Sequence, residues 1–278
     1  MALRRASDFY HLVTIEDKLA ALDSAISLCF VPGAEGRAPA TPKRSMPVVA
    51  ISALPPKPGL SAIDGQARLA HDLASIELQA TELALRTLIE FPDAPPQFRH
   101  QLADVARDEG RHLALCVRAI EDEGYAFGNW PVHLGLWDAT FQDDSLIDRV
   151  IIVHRYLEGA GLDASASILR RLIGAAPVRG KRTAVREAIA VIAHEEIGHV
   201  DFGSRWLREL CRIDNLDAEN EFEKRLPKLM AEVPRRERIA RAARAKAGFT
   251  DREMDAIEAA QKTLKLFSLA EKTPLPLG

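Results

Sequence analysis

Hydrophobic residues recur along most of this 278-residue chain at intervals of three and four positions, the period of an amphipathic helix. Strand-like alternation is rare. Four long segments show the helical period, and about 30 residues of helix correspond to about 45 Å. The pattern therefore predicts an all-α protein built on a four-helix bundle. The four segments cover roughly residues 62–90, 96–124, 144–174 and 181–212.

Shorter elements are expected on both sides of these helices. Thr14 is a suitable N-cap for a first helix, and a Pro- and Gly-rich stretch without periodicity follows it and should wrap the surface. From Asp214 on the pattern predicts shorter helices, one opening with a capping box at Thr250 and Glu253. We expect an N-terminal helix and wrapping loop at 1–60, the bundle at 61–213, and a helical extension packed on it at 214–278.

Composition and charge limit the partners and the cellular location that we expect for the protein. A net charge of −3 gives no general attraction to nucleic acid or to an anionic membrane. No apolar stretch reaches the length of a membrane-spanning helix, and the N terminus lacks the apolar run of a signal peptide. The three cysteines are far apart and form neither a disulfide framework nor a CxxC zinc pattern. A soluble protein in a reducing, cytoplasmic location is expected.

Each predicted bundle helix carries a glutamate at a position where the pattern expects a core residue. The neighbours of Glu77 at helical spacing are mostly small and apolar, and those of Glu109 and Glu196 are similar. The face of Glu158 is more polar. Converging buried carboxylates cost several kcal/mol and repel one another, and bound cations would relieve both effects.

Two histidines complete a pattern of metal ligands. Each follows a glutamate by three positions, in Glu109–His112 and in Glu196–His199, so both side chains of a pair lie on one helix face. The order single Glu, Glu-x-x-His, single Glu, Glu-x-x-His is that of carboxylate-bridged di-iron and di-manganese bundles. The predicted ligands are Glu77, Glu109, His112, Glu158, Glu196 and His199.

An apparent internal repeat strengthens this prediction. About one Glu-x-x-His is expected by chance in such a chain, so the bare motif is weak. However, 81 residues separate Glu77 from Glu158 and 87 separate Glu109 from Glu196, and DEGRH in the first half matches EEIGH in the second. A duplication that keeps the same acids is hard to explain by packing alone.

Other interpretations of these residues remain open. A single helix glutamate is more often solvated or ion-paired, and the whole set could form a metal-free polar network. His154 could be an extra ligand, a donor to a ligand or a structural histidine. Asp108, Asp163 and Glu195 could orient the ligating imidazoles, although exposed acids are the favoured interpretation.

Two further segments have a structural and a functional interpretation each. The aromatic loop with Trp130 and Trp137 could cover a substrate pocket, but packing of helix ends is the more common use. The basic stretch Arg235 to Gly248 predicts an amphipathic helix with a solvated basic face, and an RNA or phosphate contact is the alternative.

Several segments also carry a resemblance to known proteins: the Pro55–Pro58 loop, SIELQATELALR, DEGRHL, HEEIGHVDFGSRWL and RAARAKAGFTDREMD. With them the chain resembles the ferritin-like superfamily and, over roughly residues 10–260, a bacterial branch labelled domain of unknown function 455. That branch often has Pro-Phe-Asn where this chain has Arg238-Ile239-Ala240. The tRNA hydroxylase acting on 2-methylthio-isopentenyladenosine is more distantly similar and shares the ligand order. The resemblance implies a non-haem di-iron site but no substrate.

Ligands without a thiolate favour iron or manganese over structural zinc. We therefore expect two iron ions, or manganese in their place, and an oxygen-dependent oxidase or hydroxylase. Its partners would be dioxygen, an unidentified small molecule or nucleoside, with tRNA a less favoured substrate, and an unidentified electron donor, but no membrane. A monomer or dimer is expected. The alternatives are an iron-oxidising, iron-storing or peroxide-scavenging protein, and a metal-free or zinc-bound helical module.

Overall fold

A computed structural model describes residues 3–175, 183–235 and 237–270, and the regular elements in these ranges are all helical. The predicted all-α class is confirmed, and the helices are compatible with a bundle; a ferritin-like arrangement stays a prediction. The α-helices are α1 Ile15–Leu28, α2 Ile63–Glu90, α3 Pro96–Asp122, α4 Leu146–Arg149, α5 Glu158–Gly174, α6 Ala184–Ile213, α7 Ala218–Glu232, α8 Arg241–Lys246 and α9 Asp251–Ala270.

Local chemistry sets the starts of three helices as the sequence predicts. Thr14 caps α1, because its hydroxyl oxygen accepts the Asp17 N–H at 3.1 Å. Pro96 occupies the first turn of α3, where its missing N–H has no cost. At the start of α9, Thr250 and Glu253 each accept the backbone N–H of the other, at 3.2 and 2.9 Å, which is the predicted capping box.

The third long helix is less regular than predicted. Eight residues in π-helical conformation, Val150–Leu157, separate the short α4 from α5. A π turn accommodates an extra residue, and no proline or glycine in VIIVHRYL marks its position. The fourth helix was expected to begin at about residue 181, which lies outside the described residues; α6 is described from Ala184.

Residues Met1–Leu146 and Ile168–His194 form one compact unit. In it α2 and α3 pack against each other, joined by the first turns of α6. Alanines on α2 allow close approach of the helices, and branched or larger residues fill the space between them. This packing fixes the two helices that carry Glu77 and Glu109. The shared core includes Ala70, Ala74, Leu78, Leu113, Cys116, Ile120, Val185, Ile189 and Ile192.

A buried carboxylate holds the N-terminal part of this unit to α2. Glu82 is fully buried, and Lys18 Nζ and Arg44 Nη1 lie 3.0 and 2.8 Å from its Oε1. The Tyr10 hydroxyl donates to the backbone carbonyl of Glu82 at 3.1 Å. Two cations from α1 and from the Pro-rich loop therefore share one carboxylate, which makes their attachment to α2 mutually dependent.

Residues Ile147–Ser167 and Glu195–Gly278 form the second unit. Arg155, in the π-helical segment, is fully buried there and donates to Ser204 Oγ and to Glu253. Its guanidinium lies 3.6 Å from the centre of the Phe249 ring and 5.4 Å from that of Phe222. The C-terminal helices of this unit are thus assembled around one buried arginine.

The basic stretch that begins at Arg235 does not form the predicted amphipathic helix. Among the described residues of this stretch only Arg241–Lys246 is helical, and the expected solvated basic face is wrong for one arginine, Arg244. Arg244 is 3% exposed and pairs with Asp163 at 2.7 Å. Arg241 pairs with Asp251 and with Asp255 of α9. The carboxylate that neutralises Arg244 is 81 residues away, and a local charge pattern cannot report such a partner.

The three cysteines, Cys29, Cys116 and Cys211, are buried and free. Within the described residues, no helix is long and apolar enough to cross a membrane. The boundaries that the sequence predicts between the N-terminal part, the bundle and the C-terminal extension, near residues 60 and 213, stay predictions. The cytoplasmic location also stays a prediction.

Candidate metal centre

Burial of the predicted ligands is the first test of the site. The glutamates 77, 109 and 196 and the histidines 112 and 199 are all 8% exposed or less. Glu158 is partly buried, with 9% of its side chain exposed. Carboxylates removed from water to this extent need a compensating charge or hydrogen bonds.

Three of these side chains meet in the first unit. Glu109 and His112 lie one turn apart on α3, and His112 Nδ1 is 3.7 Å from Glu109 Oε2. The same nitrogen is 3.7 Å from Oε2 of Glu77, on α2. These separations are too long for hydrogen bonds. Two donor atoms that each stand about 2.1 Å from one ion are about 3 to 4 Å apart, so the spacing suits metal ligands.

The second Glu-x-x-His pair repeats this arrangement on α6. His199 Nδ1 lies 3.5 Å from Glu196 Oε1. In both pairs the Nδ1 nitrogen, rather than Nε2, faces the carboxylate of its own helix. The spacing of three residues therefore produces the same local geometry twice, as the sequence predicts.

Donor atoms from both pairs come together. One ligand atom from each of Glu109, His112, Glu196 and His199 lies within 4.8 Å of the other three, and all four residues are buried. Two carboxylates at such a distance repel each other in a medium of low polarity, and a cation would reverse the sign of that interaction. This buried group of two glutamates and two histidines could hold a metal ion. Glu77 and Glu158 as further ligands stay a prediction.

His154 and Glu158 form a close pair at the end of the π-helical segment. His154 Nδ1 is 2.7 Å from Glu158 Oε1, and the imidazole is 1% exposed. No described residue hydrogen-bonds His154 Nε2. Gly203 of α6 permits this placement, since a Cβ there would stand 2.5 Å from His154 Cβ. π turns inside helices are frequent at functional sites, and this one carries a predicted ligand at its boundary.

The three acids proposed to orient imidazoles differ in their burial and in their ion-pair partners. The favoured expectation of exposure is wrong for Asp163, which is 3% exposed and pairs with Arg244 at 2.7 Å. The Asp108 side chain is 47% exposed and pairs with Arg111 at 3.0 Å. Glu195 is half-buried. Asp163 thus has a strong partner in the second unit that its local sequence does not indicate.

The aromatic loop between α3 and α4 packs within the first unit. Trp137 is 2% exposed, and its indole N–H donates to the Ala40 carbonyl at 2.9 Å. The Trp130 ring lies against those of Tyr125 and His71, with centroids 5.2 and 5.3 Å apart. The packing interpretation of Trp137 is confirmed by its burial.

An all-helical chain with a buried group of glutamates and histidines defines a class, a helical protein with a candidate metal centre. More particularly, the chain belongs to the family described as "Protein of unknown function (DUF455)", whose model matches residues 6–255. The family membership inferred from the sequence is confirmed. The wider ferritin-like assignment and the distant likeness to the tRNA hydroxylase stay predictions.

A protein of Haemophilus influenzae (strain ATCC 51907 / DSM 11121 / KW20 / Rd) is similar to this chain. It bears the name "Uncharacterized protein" and is 32% identical over 222 residues, which cover 76% of this chain and 74% of that protein. No solved structure matches the chain.

Proposed function

We propose that this chain is a non-haem di-iron protein of the ferritin-like kind, and that it acts as an oxygen-dependent oxidase or hydroxylase. The observation that carries the proposal is the buried group of Glu109, His112, Glu196 and His199. Glu77 and Glu158 would complete the ligand set. Manganese in place of iron fits the same donors.

Charge balance supports two ions rather than one. Four carboxylates carry four negative charges, and two divalent cations neutralise them while both imidazoles stay neutral. A single divalent ion would leave two buried negative charges uncompensated, which is costly in a dry environment. The absence of a thiolate among the predicted ligands supports iron or manganese over structural zinc.

Bound iron would supply the redox chemistry with dioxygen. The chain's own residues would hold and orient the ions and keep water away. Burial of Glu109 and His112, at 1% and 0% exposure, serves the last of these tasks. His154, at 2.7 Å from Glu158, would fix the direction of that carboxylate.

Two other classes of protein make different predictions about metal and oxygen. An iron-oxidising, iron-storing or peroxide-scavenging protein would bind the same ions but act on no organic substrate. A helical binding module would contain no metal or only zinc. Metal content separates the last class from the first two, and oxygen consumption separates the first two from each other.

The first experiment is metal analysis of protein produced in iron-supplied cells, combined with an optical spectrum under oxygen. We expect about two iron ions per chain. Glu109→Ala and Glu196→Ala should each lose at least one ion. Asp108→Asn is the matched control, because it removes a carboxylate next to Glu109 that pairs with Arg111 at the surface. Full occupancy in both alanine variants would refute the ligand assignment.

The second experiment measures oxygen consumption by the chemically reduced protein, alone and with candidate substrates that include nucleosides and tRNA. A hydroxylase should consume oxygen beyond the amount that reoxidises its own iron when the substrate is present. Reoxidation alone with every candidate, together with continued uptake of added ferrous iron, would favour iron oxidation or storage.

A further inference from the structure

Two buried arginines of the second unit lie against the same aromatic ring. The guanidinium carbons of Arg155 and Arg244 are 3.6 and 4.7 Å from the centre of the Phe249 ring. Each has a carboxylate partner: Glu253 for Arg155 and Asp163 for Arg244. These two cations are therefore compensated by two anions.

A third arginine, Arg235, adds a positive charge to this cluster. Burial lowers the pKa of Arg235, while the negative charge of Asp163 and the nearby Tyr156 act in the opposite direction. Both Asp163 oxygens are already bonded to Arg244, and one also accepts the Ala240 N–H at 2.7 Å. Arg235 forms no ion pair within the described residues, and its Nε is buried without a hydrogen-bond partner there. Arg155 and Arg244 each have an anionic partner, whereas Arg235 has none of its own among the described residues.

Arg244 also keeps an unused donor. Its Nε and Nη2 bond to Asp163 at 3.1 and 2.7 Å, whereas Nη1 is buried and has no hydrogen-bond partner among the described residues. Nη1 lies against Gly159, where a Cβ would stand 2.8 Å from it. The absence of a side chain at Gly159 lets this N–H group lie beside the residue that follows Glu158.

Two hydrogen bonds hold the backbone on either side of Arg235 to the helix that carries Asp163, the partner of Arg244. The Tyr156 hydroxyl donates to the Val233 carbonyl at 2.7 Å, two residues before Arg235. The Ala240 N–H, five residues after Arg235, donates to Asp163 Oδ1 at 2.7 Å. Arg235 therefore lies in a segment that is attached to the same helix as Arg244.

We propose that Arg235 and Arg244 bind a small oxyanion, the carboxylate or phosphate group of a small molecule, beside the first turn of α5. A guanidinium presents planar, forked N–H donors that match such groups, and its hydrogen bonds to anions are the strong ones. The anion would accept hydrogen bonds from the unused N–H groups of Arg235 and Arg244 and neutralise the charge of Arg235. The claim that this site recognises the anionic group of a substrate rests on the proposed function. The claim that the site binds an anion does not depend on it.

A purely structural role explains only part of the cluster. The Arg244–Asp163 pair holds the segment around Ala240 to α5 and needs no ligand. It accounts neither for the unpaired charge of the half-buried Arg235 nor for the Nη1 donor of Arg244. These two features distinguish an anion site from an internal ion pair, which would be complete in itself.

The test is calorimetric titration of the full chain, at low chloride, with inorganic phosphate and separately with acetate. We expect one saturable site for at least one probe, and the tighter probe identifies phosphate or carboxylate as the preferred group. Arg235→Gln should weaken binding at least about tenfold. Arg244→Lys, which keeps the charge opposite Asp163 but loses the fork, should weaken it as well. Arg212→Gln is the control, since Arg212 is exposed and pairs with Glu209.

Titration of Glu109→Ala separates this proposal from the metal centre. Binding that persists in this variant and is lost in Arg235→Gln supports the arginine site, whether or not the wild-type protein contains iron. Binding that is lost in Glu109→Ala but unchanged in Arg235→Gln would place the anion on the metal and overturn the proposal. Absence of saturable binding of both probes up to about 10 mM would overturn it too.

Discussion

His154 lies one turn before Glu158, with its Nδ1 2.7 Å from Glu158 Oε1, at the boundary between the π-helical segment and α5. An imidazole at this distance restricts the rotation of the carboxylate. The pair is held from the other side by α6, whose Gly203 leaves room for the histidine. The relationship indicates that His154 positions Glu158, whether or not it is itself a ligand.

Replacing His154 tests this positioning. Under the proposed function, with Glu158 as a ligand, His154→Ala should stay folded and lower the affinity for iron about 10- to 100-fold, the usual cost of removing a partner of a metal ligand. Competition with a graded series of chelators measures the change. His100→Ala, at an exposed histidine on α3, is the control and should retain its iron. Unchanged affinity in His154→Ala would mean that the 2.7 Å contact has no role in metal binding.

Two glycines of α6 should respond oppositely to alanine. At Gly203 a Cβ would stand 2.5 Å from His154 Cβ, so Gly203→Ala should destabilise the fold by about 1–3 kcal/mol. At Gly198 nothing lies within 4 Å, so Gly198→Ala should be neutral or stabilise the helix by up to about 1 kcal/mol. Urea unfolding of the two variants measures both effects. Equal stabilities would show that helix propensity alone matters at these positions.

Removal of the Glu82 carboxylate should be strongly destabilising. Glu82→Gln leaves Lys18 and Arg44 buried without an anion, and breaking a buried pair in this way costs about 3–5 kcal/mol. Asp108→Asn breaks an exposed pair and should cost at most about 1 kcal/mol. Chemical denaturation at neutral pH gives both values. A loss below about 1 kcal/mol for Glu82→Gln would mean that the two cations find other partners.

His71 should make the fold less stable in weak acid. Burial lowers its pKa from the usual 6.5 to about 4, and its Nε2 accepts the Gly128 N–H at 3.0 Å. As the pH falls below about 6.5, His71 of the unfolded chain takes up a proton, whereas His71 of the folded chain stays neutral until about pH 4. The free energy of unfolding should therefore fall across this range, by about 2–3 kcal/mol from this residue.

The measurement is urea unfolding at several pH values between 7 and 4. His71→Gln should show a shallower fall of stability with acidity than the wild type, whereas His100→Gln, at an exposed histidine, should keep the wild-type slope. Identical slopes for the wild type and His71→Gln would exclude a depressed pKa for this imidazole.

The thiols should be inert in the folded protein. Burial raises the pKa of Cys29 to about 12, that of Cys211 to about 11, and that of Cys116 well above its usual value. Since the thiolate is the reactive form, a thiol reagent at pH 8 should label the native protein slowly. In urea, all three cysteines should react. One thiol that reacts rapidly in the native state would contradict the described burial.

Features encoded by neighbouring residues were predictable from the sequence. The caps at Thr14 and Thr250 depend on residues three positions away, and the Glu–His geometry on α3 and α6 depends on the same spacing. Burial of Glu77 followed from the small apolar residues around it on α2.

Features that depend on distant partners were not predictable. The π-helical turns keep the hydrophobic pattern of an ordinary helix, so the periodicity does not reveal them. The sequence predicts a solvated basic stretch because the partner of Arg244, Asp163, is 81 residues away and gives no local signal. With one sequence, nothing links these two residues before the chain is folded.

The shared carboxylate of Glu82 has a consequence for shortened versions of this protein. A fragment that begins after Arg44 would retain Glu82 on α2 but lose both of its counter-ions, along with Tyr10, whose hydroxyl donates to the backbone carbonyl of Glu82. The newly uncovered flank of α2 would then combine an unmatched acid with apolar surface. Such a fragment should be prone to self-association. A fragment made to study the helical core alone would therefore need Glu82→Leu or a similar substitution.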